Sequence, residues 1–283
     1  MPAGCRKGSL AGKGRTSLDN ATAYSFLGRH QFLIYRLFSL SGIFPIGGYV
    51  IIHLLTNATV LDSPATYQSQ VDRIHSLGII LPIVEWVFIF IPILFHATVG
   101  WLIISGMVSN VGSYPYVTNI RYTLQRVTGM IAFFFILWHV WHMHQLGAAV
   151  GGGNFDAKHA ASSAAGALQS AVVVVAYIVG TLAAVYHLAN GIWTFGITWG
   201  IWTSERAMRG ASYVCLAFGL LLAGVGMGSL VGMTNVDIPQ AIEVEERMEH
   251  YRKLRRGDPT DAIQERADEG IMSESRPSPS GNE

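Results

Sequence analysis

Five stretches of the chain, near residues 32–56, 79–104, 124–146, 168–192 and 211–233, stay apolar for about the length a helix needs to cross ~30 Å of hydrocarbon. No other feature constrains the fold as strongly. A backbone surrounded by lipid must satisfy its own N–H and C=O groups, and a helix does so within a single segment. The expected class is therefore all-α and integral to the membrane, with five transmembrane helices, the first four forming an up-and-down bundle. Composition agrees: 51% of the 283 residues are hydrophobic and 13% are charged, against about 25% charged in an ordinary soluble domain. Of the 37 charged residues (19 basic and 18 acidic), 19 fall between Asp237 and Glu283, leaving 18 for everything before.

That distribution divides the chain into a polar N-terminal tail (1–30), a membrane domain (31–235) and a charged C-terminal tail (236–283). The first apolar stretch follows some thirty polar residues and outruns a signal-peptide core, so it reads as a retained span. The connection 147–167, rich in Gly, Ala and Ser, reads as an extramembrane loop with little structure of its own. The C-terminal tail opens with a helical-looking charged stretch, IEVEERMEHYRKLRR. The two cysteines, Cys5 and Cys215, exclude a disulfide scaffold, and no C-x-x-C-H motif is present for covalent haem attachment. A net charge of +1 without a basic patch gives no reason to expect nucleic acid.

Positive residues near span ends favour the cytoplasmic side. With the N-terminus inside, seven flank the inner ends (Lys13, Arg15, Arg29, Arg121, Arg126, Arg206, Arg209) and five the outer ends (Arg73, Lys158, Arg247, Arg252, Lys253). The expected orientation is N-in and C-out.

Histidine carries the functional signal. Four of the ten, His53, His96, His139 and His187, lie inside the first four apolar stretches, one in each. An ionisable side chain in a membrane helix is costly unless it is paired or serves a site. Any one of them alone is accounted for by an interhelical hydrogen bond; four together need a joint explanation. His53 and His139 come late in outward-running spans and so belong to the outer half. His96 and His187 come late in inward-running spans, about 26 and 28 Å below the outer starts at ~1.5 Å per residue. The result is two layers of two. In an up-and-down bundle, spans 1 and 3 are diagonal partners, as are spans 2 and 4. The diagonal of roughly 12–14 Å suits two imidazoles with an iron between them. Two bis-histidine haems satisfy both layers. Zinc prefers three or four ligands at one point, which this arrangement does not offer. His142 and His144 read as interfacial residues at the end of span 3, where no carboxylate stands on a neighbouring turn.

The runs YRLFSLSGIFPIGGYVIIHLLTN (35–57), FIPILFHATVGWLI (90–103), LQRVTGMIAFFFILWHVWH (124–142) and YIVGTLAAVYHLANGIWTFGITWGI (177–201) resemble the di-haem cytochrome b anchor of succinate:quinone oxidoreductases. This is the type with a single five-span anchor subunit, found also in bacterial fumarate reductases. The resemblance covers roughly residues 30–235. It implies a complex in the bacterial inner membrane with a flavoprotein subunit and an iron–sulfur subunit. The anchor then carries electrons through two haems b to menaquinone or ubiquinone. It implies His96 and His187 as ligands of the inner haem and His53 and His139 as ligands of the outer one. Some members carry a glutamate on span 4 two residues before the ligand, associated with transmembrane proton movement; that position is Val185 here.

Two further residues are candidates. Arg126, at the inner end of span 3, reads as a partner for a haem propionate or as a positive-inside anchor. Glu85 is the only carboxylate in the first three spans and precedes His96 by eleven residues, within about 20° of three full helical turns. It therefore reads as an inward-facing proton relay at a quinone site, or as an interfacial carboxylate with water or Arg73 for a partner. Gly42, Gly47, Gly48, Gly100, Gly129 and Gly191 recur in the histidine-bearing spans, where small residues allow close approach. Two other classes fit the same histidines: a transporter or membrane metalloenzyme, and a haem anchor for a different respiratory dehydrogenase.

Overall fold

The computed structural model describes residues 29–106 and 111–256. Five helices in it are long and apolar enough to span a membrane: α1 (Arg29–Leu61), α3 (Ile80–Ser105), α4 (Val117–Met143), α6 (Ala171–Thr198) and α7 (Glu205–Thr234). Three shorter helices, α2 (Pro64–His75), α5 (Ala160–Ala167) and α8 (Ile238–Arg256), sit together at one end of the bundle, called here the cap end. No strand occurs among the described residues. The spans turn large apolar side chains outward, among them Ile52, Ile83, Phe134, Val172 and Leu221. An outward apolar surface is costly in water and natural in lipid. This is an integral membrane helical bundle.

Proline shapes two of the spans. It has no N–H and crowds the carbonyl one turn back, and α1 widens into a π-turn at Gly42–Gly47, around Pro45. In α3 a second π-turn, Trp86–Phe90, lies between Pro82 and Pro92. The widened turn of α1 meets α3 both at the Trp86–Phe90 turn and at the regular helix Ile91–Ser105 that follows. Along the rest of the bundle α1 packs on α6 and α7, and α4 and α7 pack on α6. Leu54, Val185, Leu188 and Leu222 form the buried seam of α1, α6 and α7. By contrast, α3 and α4 barely touch among the described residues, apart from contacts of Glu85 and Phe90 with His144. The bundle is thus closed along α1–α6–α7 and open between α3 and α4.

The helices overrun the apolar stretches that reveal them. The fourth apolar stretch continues to Thr198 as helix, where Gly200 at φ +68° ends it; a left-handed residue just past the last turn is a common stop. On α4 the helix begins seven residues before the apolar stretch. It absorbs Arg121 because the guanidinium has partners on two neighbours, Asn190 Oδ1 at 2.9 Å and Ser212 Oγ at 2.8 Å.

The cap corrects the expectation of an unstructured 147–167 connection. Gln145–Val150 form a 3-10 turn, and AASSAAGA folds as α5, whose alanines 160, 161, 164 and 165 are buried against α2 and α8. Small side chains let the three helices close in, and polar side chains from far along the chain hold the first turn of α5. Gln68 accepts from the Ala160 N–H at 2.8 Å and donates to Ala157 O at 2.8 Å. Glu245 accepts from the Ala161 N–H at 2.7 Å, the Ser162 N–H at 3.2 Å and the Ser162 hydroxyl at 2.6 Å. Both side chains are wholly buried, and a carboxylate at a helix N-terminus meets its unpaired donors and the positive end of its dipole. Asp72 on α2 pairs with Arg252 on α8, and Lys158 lies 3.5 Å from Glu249.

Glu245→Ala is expected to loosen the cap by about 3 kcal/mol, since three buried donors lose a charged acceptor that water cannot replace. Amide hydrogen exchange at Ala161 and Ser162 checks this; exchange as slow as in the unaltered chain would contradict it.

Candidate functional site: paired imidazoles at two depths

The four intramembrane histidines meet in two pairs. His53 of α1 and His139 of α4 have ring centroids 5.9 Å apart, edge to face at 69°. His96 of α3 and His187 of α6 are 6.2 Å apart at 88°. The first pair lies toward the cap end and the second toward the opposite end. Each pair joins spans two apart in chain order, the first with the third and the second with the fourth. Among the described residues no three His, Cys, Asp or Glu side chains converge on one point.

Glycine makes room for one pair. A Cβ on Gly42 would stand 2.6 Å from His96 Cε1, and one on Gly129 would stand 2.8 Å from His187 Cε1. Each ring of the opposite-end pair therefore lies in a notch that any side chain would fill. Two other intramembrane glycines serve helix contact: Gly47 admits Leu188, and Gly100 lies under Phe38. A Cβ on Gly48 would meet nothing within 4 Å.

The rings are also held. His96 Nδ1 donates to Phe38 O at 3.1 Å, and the ring stacks on Phe38 with centroids 4.3 Å apart. His187 Nδ1 donates to Gln125 O at 2.9 Å. A main-chain carbonyl only accepts, so both rings carry their proton on Nδ1 and present a lone pair at Nε2. Gln125 is fixed in turn, donating to His187 O at 3.1 Å and accepting from Asn190 Nδ2 at 2.8 Å.

At the cap end the partners are side chains. His139 Nδ1 lies 3.1 Å from the Tyr177 hydroxyl, which also lies 3.2 Å from His142 Nδ1. Asn57 Nδ2 donates to His53 Nε2 at 3.3 Å, and Tyr67 of α2 donates to Asn57 Oδ1 at 3.4 Å. Burial first, and then the Glu245 charge, push the Tyr67 phenol well above its ordinary range, so it remains a donor. Sequence reasoning missed Asn57 and Tyr177; an amide or phenol on a turn near a histidine is too common to mark.

Glu85 faces His144, with Oε2 3.7 Å from Nε2, and both side chains are about a quarter exposed. The Leu146 N–H donates to His144 Nδ1 at 3.2 Å, so the ring proton sits on Nε2, toward the carboxylate. His144 is the partner that the sequence did not indicate. Arg73 instead bonds Gln70 at 3.5 Å. The carboxylate near the interfacial histidines comes from α3, not from a turn of α4. His142 stacks on Trp138 with centroids 4.8 Å apart. Arg126 donates to Tyr122 O at 2.8 Å and lies over the Tyr122 ring.

A multi-pass helical membrane protein that sets imidazole against imidazole inside its bundle has the build of a membrane-anchor cytochrome b. Residues 108–226 match the family described as the succinate dehydrogenase/fumarate reductase transmembrane subunit. A curated relative, the succinate dehydrogenase cytochrome b558 subunit of Bacillus subtilis (strain 168), is 35% identical over 206 residues, covering 72% of this chain and 97% of the relative. The chain belongs to the membrane-anchor cytochrome b subunits of succinate dehydrogenase and fumarate reductase.

Proposed function

We propose that this chain carries electrons from an iron–sulfur subunit through two bis-histidine haems b to a membrane quinone, in a complex completed by a flavoprotein subunit. The observation that carries the reading is the spacing of the two imidazole pairs. Two metal–imidazole bonds of about 2 Å and two ring radii of about 1.1 Å place facing centroids roughly 6.2 Å apart. The pairs stand at 5.9 and 6.2 Å, and the open side between α3 and α4 leaves a slot for a flat macrocycle.

The donor set fits. His96 and His187 offer Nε2 lone pairs on rings locked by main-chain carbonyls, the usual second partner of a metal-bound histidine. His139 is locked through Tyr177. His53 fits once Asn57 releases its Nε2. A haem bound by such a pair supplies reversible one-electron chemistry, tuned by what surrounds the axial rings. The protein's part is to hold the imidazoles, exclude water with the apolar seam and set the two levels apart.

The same reading assigns the remaining candidates. With the N-terminus cytoplasmic in a bacterial inner membrane, the cap end is outer and the opposite end meets the iron–sulfur subunit. Arg126, at that inner end, is placed to hold a propionate. Glu85, with His144 beside it, is the proton relay for a quinone reduced near the His53–His139 pair. The natural quinone is menaquinone or ubiquinone. Val185 is buried in the α1–α6–α7 seam, so α6 offers no carboxylate two residues before His187.

A haemochrome assay on the purified complex, together with its reduced-minus-oxidised spectrum, tests the reading. Two b haems per copy are expected, copurifying with flavin and succinate or fumarate activity; fewer than two would overturn the ligand assignment. Gly129→Ala is expected to cost most of the absorbance of the haem held by His96 and His187 and to spare the other. Full retention of both would show that the notch is not needed.

A further inference from the structure

The two imidazole pairs are held by different chemistry, and the difference points to Tyr177. At the opposite end both rings donate Nδ1–H to main-chain carbonyls, which only accept; the Ser41 hydroxyl, a longer contact of His96 Nδ1 at 3.4 Å, gives its own proton to the same Phe38 carbonyl. At the cap end the Tyr177 hydroxyl, which can both accept and donate, stands between His139 Nδ1 at 3.1 Å and His142 Nδ1 at 3.2 Å. Donor counting orders the protons. With Nε2 of His139 given to iron, its proton is on Nδ1 and goes to the Tyr177 oxygen. The Tyr177 proton then goes to His142 Nδ1, which leaves His142 with its own proton on Nε2.

Tyr177 is built to keep this position. It is buried, with the Phe135 ring edge-on at 5.4 Å and Trp138 at 5.3 Å. It also belongs to the same apolar cluster as Tyr67, Val71 and the alanines of α5, so its surroundings are continuous with the core of the cap. His142 is fixed from the other side by its stack on Trp138. The hydroxyl thus has two partners and little freedom to choose others.

We infer that Tyr177 is a positioning residue that sets the reduction potential of the cap-end haem through His139, sharing its hydroxyl with His142. The inference rests on the ligand assignment proposed above. An imidazole whose Nδ1–H is accepted by a partner is a more basic ligand and favours oxidised iron. Tyr177→Phe keeps the ring packing and removes the acceptor.

The test is optical redox titration of the purified complex, with the cap-end haem identified as the one lost in His139→Ala. In Tyr177→Phe its midpoint should rise while that of the other haem stays unchanged. No shift, or an equal shift of both haems, would overturn the inference. His142→Phe keeps the stack on Trp138 and removes the acceptor of the Tyr177 proton. A hydroxyl that no longer donates accepts less strongly from His139 Nδ1–H, so the same midpoint should rise, by less than in Tyr177→Phe. If Tyr177→Phe fails to assemble, that second variant decides, and an unshifted midpoint there counts against the inference. Loss of the second haem from the unaltered complex is a different outcome, which removes the ligand assignment together with this consequence of it.

Discussion

His53→Ala and His139→Ala are each expected to abolish one and the same haem, and His96→Ala and His187→Ala the other. A bis-histidine iron needs both axial ligands, and each ring has one facing ring within about 6 Å. The effect is close to all-or-none for the affected component, because an alanine offers nothing to replace the lost nitrogen. Spectropotentiometry separates the two components. If His53→Ala and His96→Ala preparations lack the same one, the pairing is wrong. The opposite-end pair should be the less forgiving, since Gly42 and Gly129 leave its rings no second seat.

Glu85→Gln should have the next largest effect and a different signature. The amide fills the space of the carboxylate and ligates nothing, so both haems remain. Quinone turnover should fall by about 10²-fold, the usual contribution of a positioned proton donor. Reduction of the haems by succinate should persist. His144 adds a discriminating arm, because its Nε2–H is held toward Glu85 by the Leu146 N–H at its other nitrogen. His144→Phe keeps the edge contact with Phe90 and removes the donor, and should slow the same step less severely. Unchanged quinone reduction by a fully haem-loaded Glu85→Gln complex would leave the carboxylate with a structural role only.

What the sequence discloses here follows from how local each signal is. The spans are legible because hydropathy accumulates over twenty neighbouring residues, and the four histidines because an ionisable group is conspicuous in such a run. Their layering follows from chain direction alone. Helix ends were less legible: Arg121 reads as a boundary, yet it is inside α4 because Asn190 and Ser212 receive it. The cap was illegible for the same reason on a larger scale. Ala161 and Glu245 are 84 positions apart, so a carboxylate that ends up wholly buried looks, in its own neighbourhood, like one more charge on a solvated helix. The residues that hold the histidines were hidden differently. Phe38 and Gln125 act through main-chain carbonyls, which every residue has, and only the packing of α1 on α3 and of α4 on α6 shows which carbonyl is used.

The origin of the buried carboxylate also fixes a calendar for the molecule. Chains are made from the N-terminus, and their parts fold in roughly that order. Gln68 and the segment 157–162 exist before Glu245 does, so while the chain from Ser162 to Glu245, 83 positions on, is being made, the first turn of α5 has Gln68 for Ala160 but not yet the Glu245 acceptor for Ala161 and Ser162. The cap of α2, α5 and α8 can be complete only when α8, the last of the described helices, has been made. The last backbone donors of the cap to be satisfied are thus those of Ala161 and Ser162, and a single side chain satisfies both.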